Sequence, residues 1–210
     1  MRFAIASLFF AAYGLSAATI ACGNGGVNDS GPIGLATTVF APPTPSTFSC
    51  FQQDKIYSGF ILNSGSVAGV SMEIFFQPVG LVDNHTVQFS GNLTQAFDLE
   101  YDVTVDISIS PDLRLSLVGV DINAAASGGN PTITKSSPNF ATIIASKSTG
   151  SQATTIPNLI SVHVHDVYNP NGGAATSSSN SFVETPIPEP GTMMLLGGAL
   201  LLVGAKRWRK

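Results

Sequence analysis

The sequence predicts a mainly β protein, built as an antiparallel β-sandwich between an apolar N-terminal segment and an apolar C-terminal segment. Two observations predict the sandwich. First, the middle of the chain alternates apolar and polar residues with a period of two, which is the pattern of a half-buried strand. Second, clusters of Gly, Asn, Ser and Pro separate the short β-rich runs, and no segment between residues 19 and 190 carries a helical apolar stripe.

The alternation is clearest in residues 98–110, where we expect one continuous strand. Its apolar positions are Leu99, Tyr101, Val103, Val105, Ile107 and Ile109. Pro111-Asp112 then predicts a turn, and Leu113, Leu115 and Leu117 begin a returning strand. Further β-rich runs are residues 56–62, 67–76, 85–90, 140–146 and 159–167.

The distribution of charge limits the partners of this chain. Only 10% of the 210 residues are charged, and five of the nine basic residues lie at the two ends of the chain. The segment between Thr19 and Pro190 holds four basic residues against all thirteen acidic residues, a net charge of −9. Because an acidic surface repels a phosphate backbone, we expect no nucleic-acid partner.

Residues 1–18 have the pattern of a secretory signal peptide. Met1-Arg2 is a short basic start, residues 3–15 are apolar, and Ser16-Ala17-Ala18 supplies the small residues that signal peptidase needs. The apolar run is too short for a lasting membrane helix. We therefore expect the chain to be exported and this segment to be removed.

The two cysteines, Cys22 and Cys50, follow the predicted cleavage site. In an exported chain an even pair predicts one disulfide, which would close a loop of about 29 residues and contribute about 3–4 kcal/mol in the chain-entropy description. The alternative is a lipoprotein cleavage box at residues 19–22, although Thr19 stands where that box has an aliphatic residue. No Cys/His spacing typical of zinc is present.

The C-terminal segment predicts a single, marginal transmembrane helix. Residues 190–205 carry no charge and would span about 24 Å as a helix, less than the ~30 Å hydrocarbon core. The basic residues that follow keep the C-terminus in the cytoplasm and the β-domain outside; they are Lys206, Arg207, Arg209 and Lys210. Pro186, Pro188 and Pro190 favour an extended approach to the membrane.

Pro188-Glu189-Pro190, the apolar run and the terminal basic cluster together resemble the PEP-CTERM sorting signal, a motif also labelled an ice-binding protein C-terminal domain. The resemblance covers about the last 25 residues. It implies recognition and processing by an exosortase, whose own cysteine is the nucleophile, in a Gram-negative bacterium that makes exopolysaccharide. It also implies residence in the inner membrane before processing, and then delivery to the cell surface or the extracellular matrix.

These observations divide the chain into four segments. Residues 1–18 are the signal peptide, residues 19–168 the β-sandwich ectodomain, residues 169–186 a flexible Gly/Ser/Asn-rich tether, and residues 187–210 the sorting signal.

Two groups of side chains could hold a metal ion. On a strand, His163 and His165 share one face and Asp166 takes the other, so a site would need a further ligand, and His85 is remote in sequence. We expect a solvated strand face instead. Four acids could coordinate calcium, namely Asp102, Asp106, Asp112 and Asp121, but no DxDxDG loop is present and an acidic outer face is the simpler interpretation.

The sequence offers no catalytic residues and implies no cofactor. Neither a G-x-S-x-G motif nor a phosphate-binding glycine loop in the right context occurs. We therefore expect a non-enzymatic surface or matrix protein, with a glycan- or ice-surface-binding module as the alternative and a secreted hydrolase as a third class. The aromatic residues for a sugar platform are few: Tyr57, Tyr101 and Tyr168, with the one tryptophan, Trp208, in the basic tail.

Overall fold

The computed structural model describes residues 20–22, 34–35, 39–40, 48–79, 82–124 and 128–187. Thirteen strands lie within these ranges: β1 (Ile20–Ala21), β2 (Gly34–Leu35), β3 (Cys50–Gln52), β4 (Lys55–Gly65), β5 (Val70–Val79), β6 (Val82–Leu93), β7 (Phe97–Val105), β8 (Leu113–Ala124), β9 (Thr132–Ser137), β10 (Phe140–Ser146), β11 (Gln152–Leu159), β12 (Ser161–Asn169) and β13 (Ala175–Pro186). The predicted signal peptide and transmembrane helix lie outside the described residues.

The strands form two sheets, as the sequence predicts. Sheet A has the order β1-β3-β4-β7-β12-β9-β10, and sheet B has the order β11-β8-β13-β6-β5-β2. Neighbouring strands are antiparallel except for the short parallel pair β1 and β3. Among the described residues, no helix has the length and apolar character needed to cross a membrane.

The core lies between the two sheets, and the apolar residues of the predicted alternating pattern are buried in it. In β7 every second residue is buried, from Phe97 to Val105. The rings of Phe60 and Tyr101 stack with centroids 5.8 Å apart, and Phe97 stacks on Tyr168 at 5.1 Å. These apolar inner positions are what hold the sheets together, because their burial is the dominant favourable term in folding.

The predicted strand over residues 98–110 is too long at its C-terminal end. β7 ends at Val105, and Ile107 and Ile109 are 51% and 59% exposed. The carboxylate of Asp106 accepts hydrogen bonds from the backbone N–H and the hydroxyl of Ser108, and this local turn replaces strand pairing. The returning strand β8 exists, but it joins sheet B, so residues 106–112 connect the two sheets.

The prediction of a flexible tether at residues 169–186 is wrong for most of that segment. Residues 175–186 form β13, which pairs with both β8 and β6 inside sheet B. The apolar alternation that marks other strands is absent because three of the inward residues, Ser178, Asn180 and Glu184, are polar, and only Phe182 is large and apolar. The β-domain therefore extends beyond residue 168 to the start of the sorting segment.

The disulfide predicted from the sequence is present. Cys22 and Cys50 are joined across 28 positions of sequence, and both residues are buried. The bond lies beside the β1–β3 pair, where the backbone N–H of Cys22 also donates a hydrogen bond to the carbonyl of Phe51. It thus ties the N-terminal segment to sheet A.

Candidate functional site

The outer face of sheet A carries the two histidines that the sequence singles out. His163 Nδ1 lies 2.8 Å from Asp102 Oδ1, and His165 Nε2 lies 2.8 Å from Asp98 Oδ1. The side chain of His163 is 39% exposed and that of His165 is 33% exposed. The third histidine, His85, is fully buried between the sheets, so it does not join them. This face matches the solvated strand face expected from the sequence, and exposed pairs of this kind contribute little to stability.

The four acids considered for calcium are not gathered at one place. Asp102 contacts His163, Asp106 caps its own turn, and Asp121 accepts a hydrogen bond from Ser151 Oγ at 2.7 Å on sheet B. Asp112 lies in the loop between the sheets, where its backbone carbonyl accepts from Ile187. Six to eight oxygens around one point, which calcium needs, are not supplied by this arrangement.

A buried cluster of ionisable groups, which the sequence analysis missed, lies at the end of the sandwich where β4 begins and β13 ends. Lys55 Nζ lies 2.5 Å from Asp54 Oδ1 and 2.5 Å from Glu184 Oε2, and it is fully buried. His85 Nε2 lies 3.5 Å from the same Asp54 oxygen. We name Asp54, Lys55, His85 and Glu184 the charged cluster.

Burial and the Lys55 ammonium set the protonation of the charged cluster. Burial lowers the pKa of His85 to about 3, helped by the charge of Lys55, so the imidazole is neutral. Burial raises the pKa of Glu184 to about 7 against the opposing effect of Lys55. Burial also acts to raise the pKa of Asp54. The hydrogen bond from Lys55 and the charge of Lys55 outweigh burial, so the pKa of Asp54 is lowered overall.

The charged cluster contains side chains of the types that bind metal ions, but the cation between them is the ammonium of Lys55. Ligand atoms of Asp54, His85 and Glu184 all lie within 4.8 Å of one another. The ammonium of Lys55 contacts both carboxylates and so supplies the positive charge that a metal ion would bring. The arrangement fits an internal ion pair that joins the sheets, with an adjacent cavity of about 190 Å³ lined by Asp54, Asp83, Phe76 and Ile109 among others.

Asp166 belongs to a second buried contact between a lysine and a carboxyl group. It points away from the two histidines, as the sequence predicts, but into the core rather than to solvent. Its Oδ1 lies 3.2 Å from Lys135 Nζ on β9, and its Oδ2 accepts a hydrogen bond from Asn180 Nδ2 on β13 at 2.7 Å. Neither Lys135 nor Asn180 is marked by any sequence motif.

The three tyrosines considered for a sugar platform are all in the core. Tyr57, Tyr101 and Tyr168 are each 0% exposed, and the Tyr168 hydroxyl donates to the carbonyl of Leu93. They cannot stack on a glycan. Trp208 lies outside the described residues.

A shallow groove is present instead on the outer face of sheet B. It has a volume of about 310 Å³ and is lined by Phe75, Gln77, Thr86, Gln88 and Ser179, which we name the outer groove. The strand register places Phe75 beside Thr86, and Gln88 beside Ser179. The outer groove thus combines one half-buried aromatic ring with amide and hydroxyl groups.

The last described residues lead directly into the predicted sorting segment. β13 ends at Pro186, and the backbone N–H of Ile187 donates to the carbonyl of Asp112 at 2.8 Å. The sorting residues Pro188, Glu189 and Pro190 and the basic cluster Lys206, Arg207, Arg209 and Lys210 lie outside the described residues. The exposed Ile107 and Ile109 belong to the same loop as Asp112.

Comparison with known proteins gives one family and several distant structures. No curated protein matches this chain. The family 11 carbohydrate-binding module from Clostridium thermocellum in complex with a β-1,3-1,4-mixed-linked tetrasaccharide is similar, with 11% identity over 61% of this chain and 86% of that one and a TM-score of 0.29. TmCBM61 in complex with β-1,4-galactotriose is 13% identical over 73% of this chain and 94% of that one, with a TM-score of 0.28.

The family match falls on the C-terminus. Residues 186–210 match the family described as the PEP-CTERM protein-sorting motif, which confirms the resemblance found in the sequence. The match begins on the last residue of β13, so the motif follows the folded domain without an intervening linker. The C-terminal segment of the chain is therefore a PEP-CTERM protein-sorting motif, which indicates export and sorting to the cell surface.

Proposed function

We propose that this chain is an exosortase substrate, held in the inner membrane by its C-terminal helix until it is processed and then delivered to the cell surface or extracellular matrix of an exopolysaccharide-producing Gram-negative bacterium. Signal peptidase removes residues 1–18 during export. The observation that carries the proposal is the sorting motif at residues 186–210, which continues directly from the last strand of a folded, disulfide-bonded domain.

The position of the motif supports a processing event close to the domain. Only Ile187 separates the end of β13 from Pro188, and Ile187 is itself held by the carbonyl of Asp112. The end of the sandwich that carries residues 106–112 is therefore next to the membrane before processing. Ile107 and Ile109 are the exposed apolar residues of this loop, and they would contact the lipid surface or the exosortase.

The domain itself has a structural or binding role rather than a catalytic one. The charged cluster joins Lys55 of sheet A to Glu184 of sheet B, and Asp166 of sheet A accepts a hydrogen bond from Asn180 of sheet B; both groups are buried, as groups that hold two sheets together would be. The histidines of sheet A are each held by a carboxylate on a regular, solvated strand. These arrangements favour a structural role in the extracellular matrix.

The test of the proposal is the fate of the full chain with and without the exosortase. In the native host the mature protein should be recovered outside the cell, or at its surface, without Trp208. In a strain that lacks the exosortase, the chain should accumulate in the inner membrane with Trp208 retained. Equal release of the same mature form from both strains would refute the proposal.

A second candidate function, glycan binding, is favoured by the outer groove. Glycans are bound by an aromatic face together with amide and hydroxyl groups, and Phe75, Gln77 and Gln88 supply these on one face of sheet B. Affinity electrophoresis in gels containing the host's own exopolysaccharide measures the binding. Phe75→Ala should abolish retardation of the domain, whereas Phe51→Ala, which removes an exposed ring on sheet A, should leave it unchanged. Equal mobility of the native protein with and without polysaccharide would exclude this function.

A further inference from the structure

Three side chains with complementary chemistry meet in the core between the sheets. Lys135 lies on β9, Asp166 on the adjacent strand β12, and Asn180 on β13 of the opposite sheet. Each is 0% exposed. The group therefore brings together a primary amine, a carboxyl group and a side-chain amide, and it bridges sheet A and sheet B.

Asp166 contacts both of the other groups. Its Oδ2 lies 3.5 Å from Lys135 Nζ and 2.7 Å from Asn180 Nδ2, so a single carboxyl oxygen joins the amine to the amide nitrogen. The amide oxygen of Asn180 is buried and accepts no hydrogen bond from the described residues. The amide thus keeps one polar atom available to a protonated carboxyl group.

Apolar rings surround the amine. Lys135 Nζ lies 5.7 Å from the ring centroid of Tyr101 and 5.2 Å from that of Phe182. Burial among these rings lowers the pKa of Lys135, and burial raises the pKa of Asp166, each against the attraction between the two charges. Both shifts favour the neutral pair, a free amine beside a carboxylic acid, which is the form that reacts.

We propose that Lys135 and Asn180 form an intramolecular isopeptide bond, with Asp166 transferring the protons. The two residues lie 45 positions apart in sequence. The bond would join β9 of sheet A covalently to β13 of sheet B.

The reaction needs no further reagent. The amide of Asn180 first turns so that its oxygen, in place of Nδ2, faces Asp166; the neutral Lys135 Nζ then attacks Asn180 Cγ while the carboxylic acid of Asp166 donates a hydrogen bond to that oxygen. Asp166 then carries a proton from Nζ to Nδ2, the Cγ–Nδ2 bond breaks, and ammonia leaves. The amine and the amide become a secondary amide plus one ammonia, with no change of oxidation state.

The place of the bond suits a chain sorted to the cell surface. β13 is the strand that continues into the sorting motif, so a bond at Asn180 would hold that strand when force or protease acts on the C-terminus. Lys55, the other fully buried lysine among the described residues, contacts two carboxylates and makes an ion pair. Lys135 differs from Lys55 in having the amide of Asn180 beside the carboxyl group that it contacts.

Mass spectrometry of the full chain, purified in detergent from a host without exosortase and reduced, tests the proposal. The intact mass should fall below the mass calculated for the chain without its signal peptide, residues 19–210, by one ammonia. Trypsin should fail to cleave after Lys135, so residues 115–147 should be recovered joined to residues 148–206. Lys135→Arg, Asn180→Ala and Asp166→Asn should each show the full mass of their own sequence.

Lys147→Arg is the matched control, because it removes an exposed lysine and should keep the loss of ammonia. A succinimide at an Asn-Gly pair such as Asn171-Gly172 also loses ammonia, but it joins no peptides and persists in Lys135→Arg. A full mass for the folded native chain overturns the proposal. A loss of ammonia that survives in Lys135→Arg overturns it as well.

Discussion

Replacing Lys55 with methionine tests whether the charged cluster holds the two sheets together. The lysine ammonium lies between Asp54, in the turn between β3 and β4 of sheet A, and Glu184 on β13 of sheet B, and all of these groups are buried. Methionine keeps most of the side-chain volume, so the change removes charge more than packing. It leaves two carboxylates facing each other without compensation.

The expected cost follows from this geometry. Removing one partner of a buried ion pair typically costs about 3–5 kcal/mol, and here one ammonium serves two carboxylates, which places the loss at the upper end of that range. The cost should be smaller at mildly acidic pH, since the pKa of Glu184 is already raised to about 7 and rises further without the lysine.

Urea unfolding of the β-domain, followed by circular dichroism at neutral and at mildly acidic pH, measures both quantities. Lys147→Met is the control, because this exposed lysine should change the free energy of unfolding by less than about 0.5 kcal/mol. A loss below about 1 kcal/mol for Lys55→Met at neutral pH would refute the structural role of the cluster. A loss that does not depend on pH would refute the assigned protonation.

Three further predictions concern stability. The pKa of His85 is lowered from 6.5 to about 3, so the stability that its neutral form contributes is present above pH 6.5 and is lost as the pH falls towards 3. We compare the free energy of unfolding of the native protein with that of His85→Gln. The difference between them should increase by about 1.4 kcal/mol for each pH unit from pH 3 up to pH 6.5. Replacing both Cys22 and Cys50 with serine should lower the free energy of unfolding by about 3–4 kcal/mol. Gly65→Ala should destabilise by at least ~1 kcal/mol, because φ is +85° and the added Cβ would lie 2.1 Å from a backbone carbonyl oxygen.

Each of these has a result that would count against it. A constant difference between the native protein and His85→Gln from pH 3 to 6.5 would mean that His85 titrates normally. For the cysteines, the comparison is the native protein with and without reductant, and an unchanged urea midpoint would remove the contribution of the disulfide. Gly69→Ala is the control for Gly65, since φ is also positive at Gly69 but no atom lies within 4 Å of its Cβ position; equal losses for the two variants would mean that the carbonyl contact at Gly65 adds nothing.

The strands with apolar alternation could be predicted from sequence, and those with polar inner faces could not. β7 shows the pattern because nearly all of its inward residues are apolar, whereas β13 carries Ser178, Asn180 and Glu184 inward. Asn180 and Glu184 are compatible with the core because Asp166 and Lys55, which lie on other strands, contact them there. A rule that examines the hydrophobic pattern of one segment at a time cannot detect partners on other strands. The sequence of β13 therefore resembles that of a flexible tether.

The same limit applies to the candidate sites. The sorting motif is contiguous, so Pro188-Glu189-Pro190 and the residues after it are recognisable in the sequence alone. The charged cluster and the outer groove are assembled from three or more strands, and none of their residues is adjacent to all the others in sequence. The outer groove follows from the strand order β13-β6-β5 in sheet B, and the charged cluster follows from the packing of β4 of sheet A against β6 and β13. The sequence reveals neither arrangement.

The most direct test of the proposed function is the replacement of Pro188, Glu189 and Pro190 with alanine in the native host. The apolar run and the basic tail are untouched, so the variant should still insert in the membrane. It should accumulate there at full length, with Trp208 retained, while the native chain is processed and released. Neutral replacement of the basic tail should instead disturb retention or orientation; its residues are Lys206, Arg207, Arg209 and Lys210. Processing and release of the alanine variant at the native level would contradict the assignment of these residues as a sorting signal.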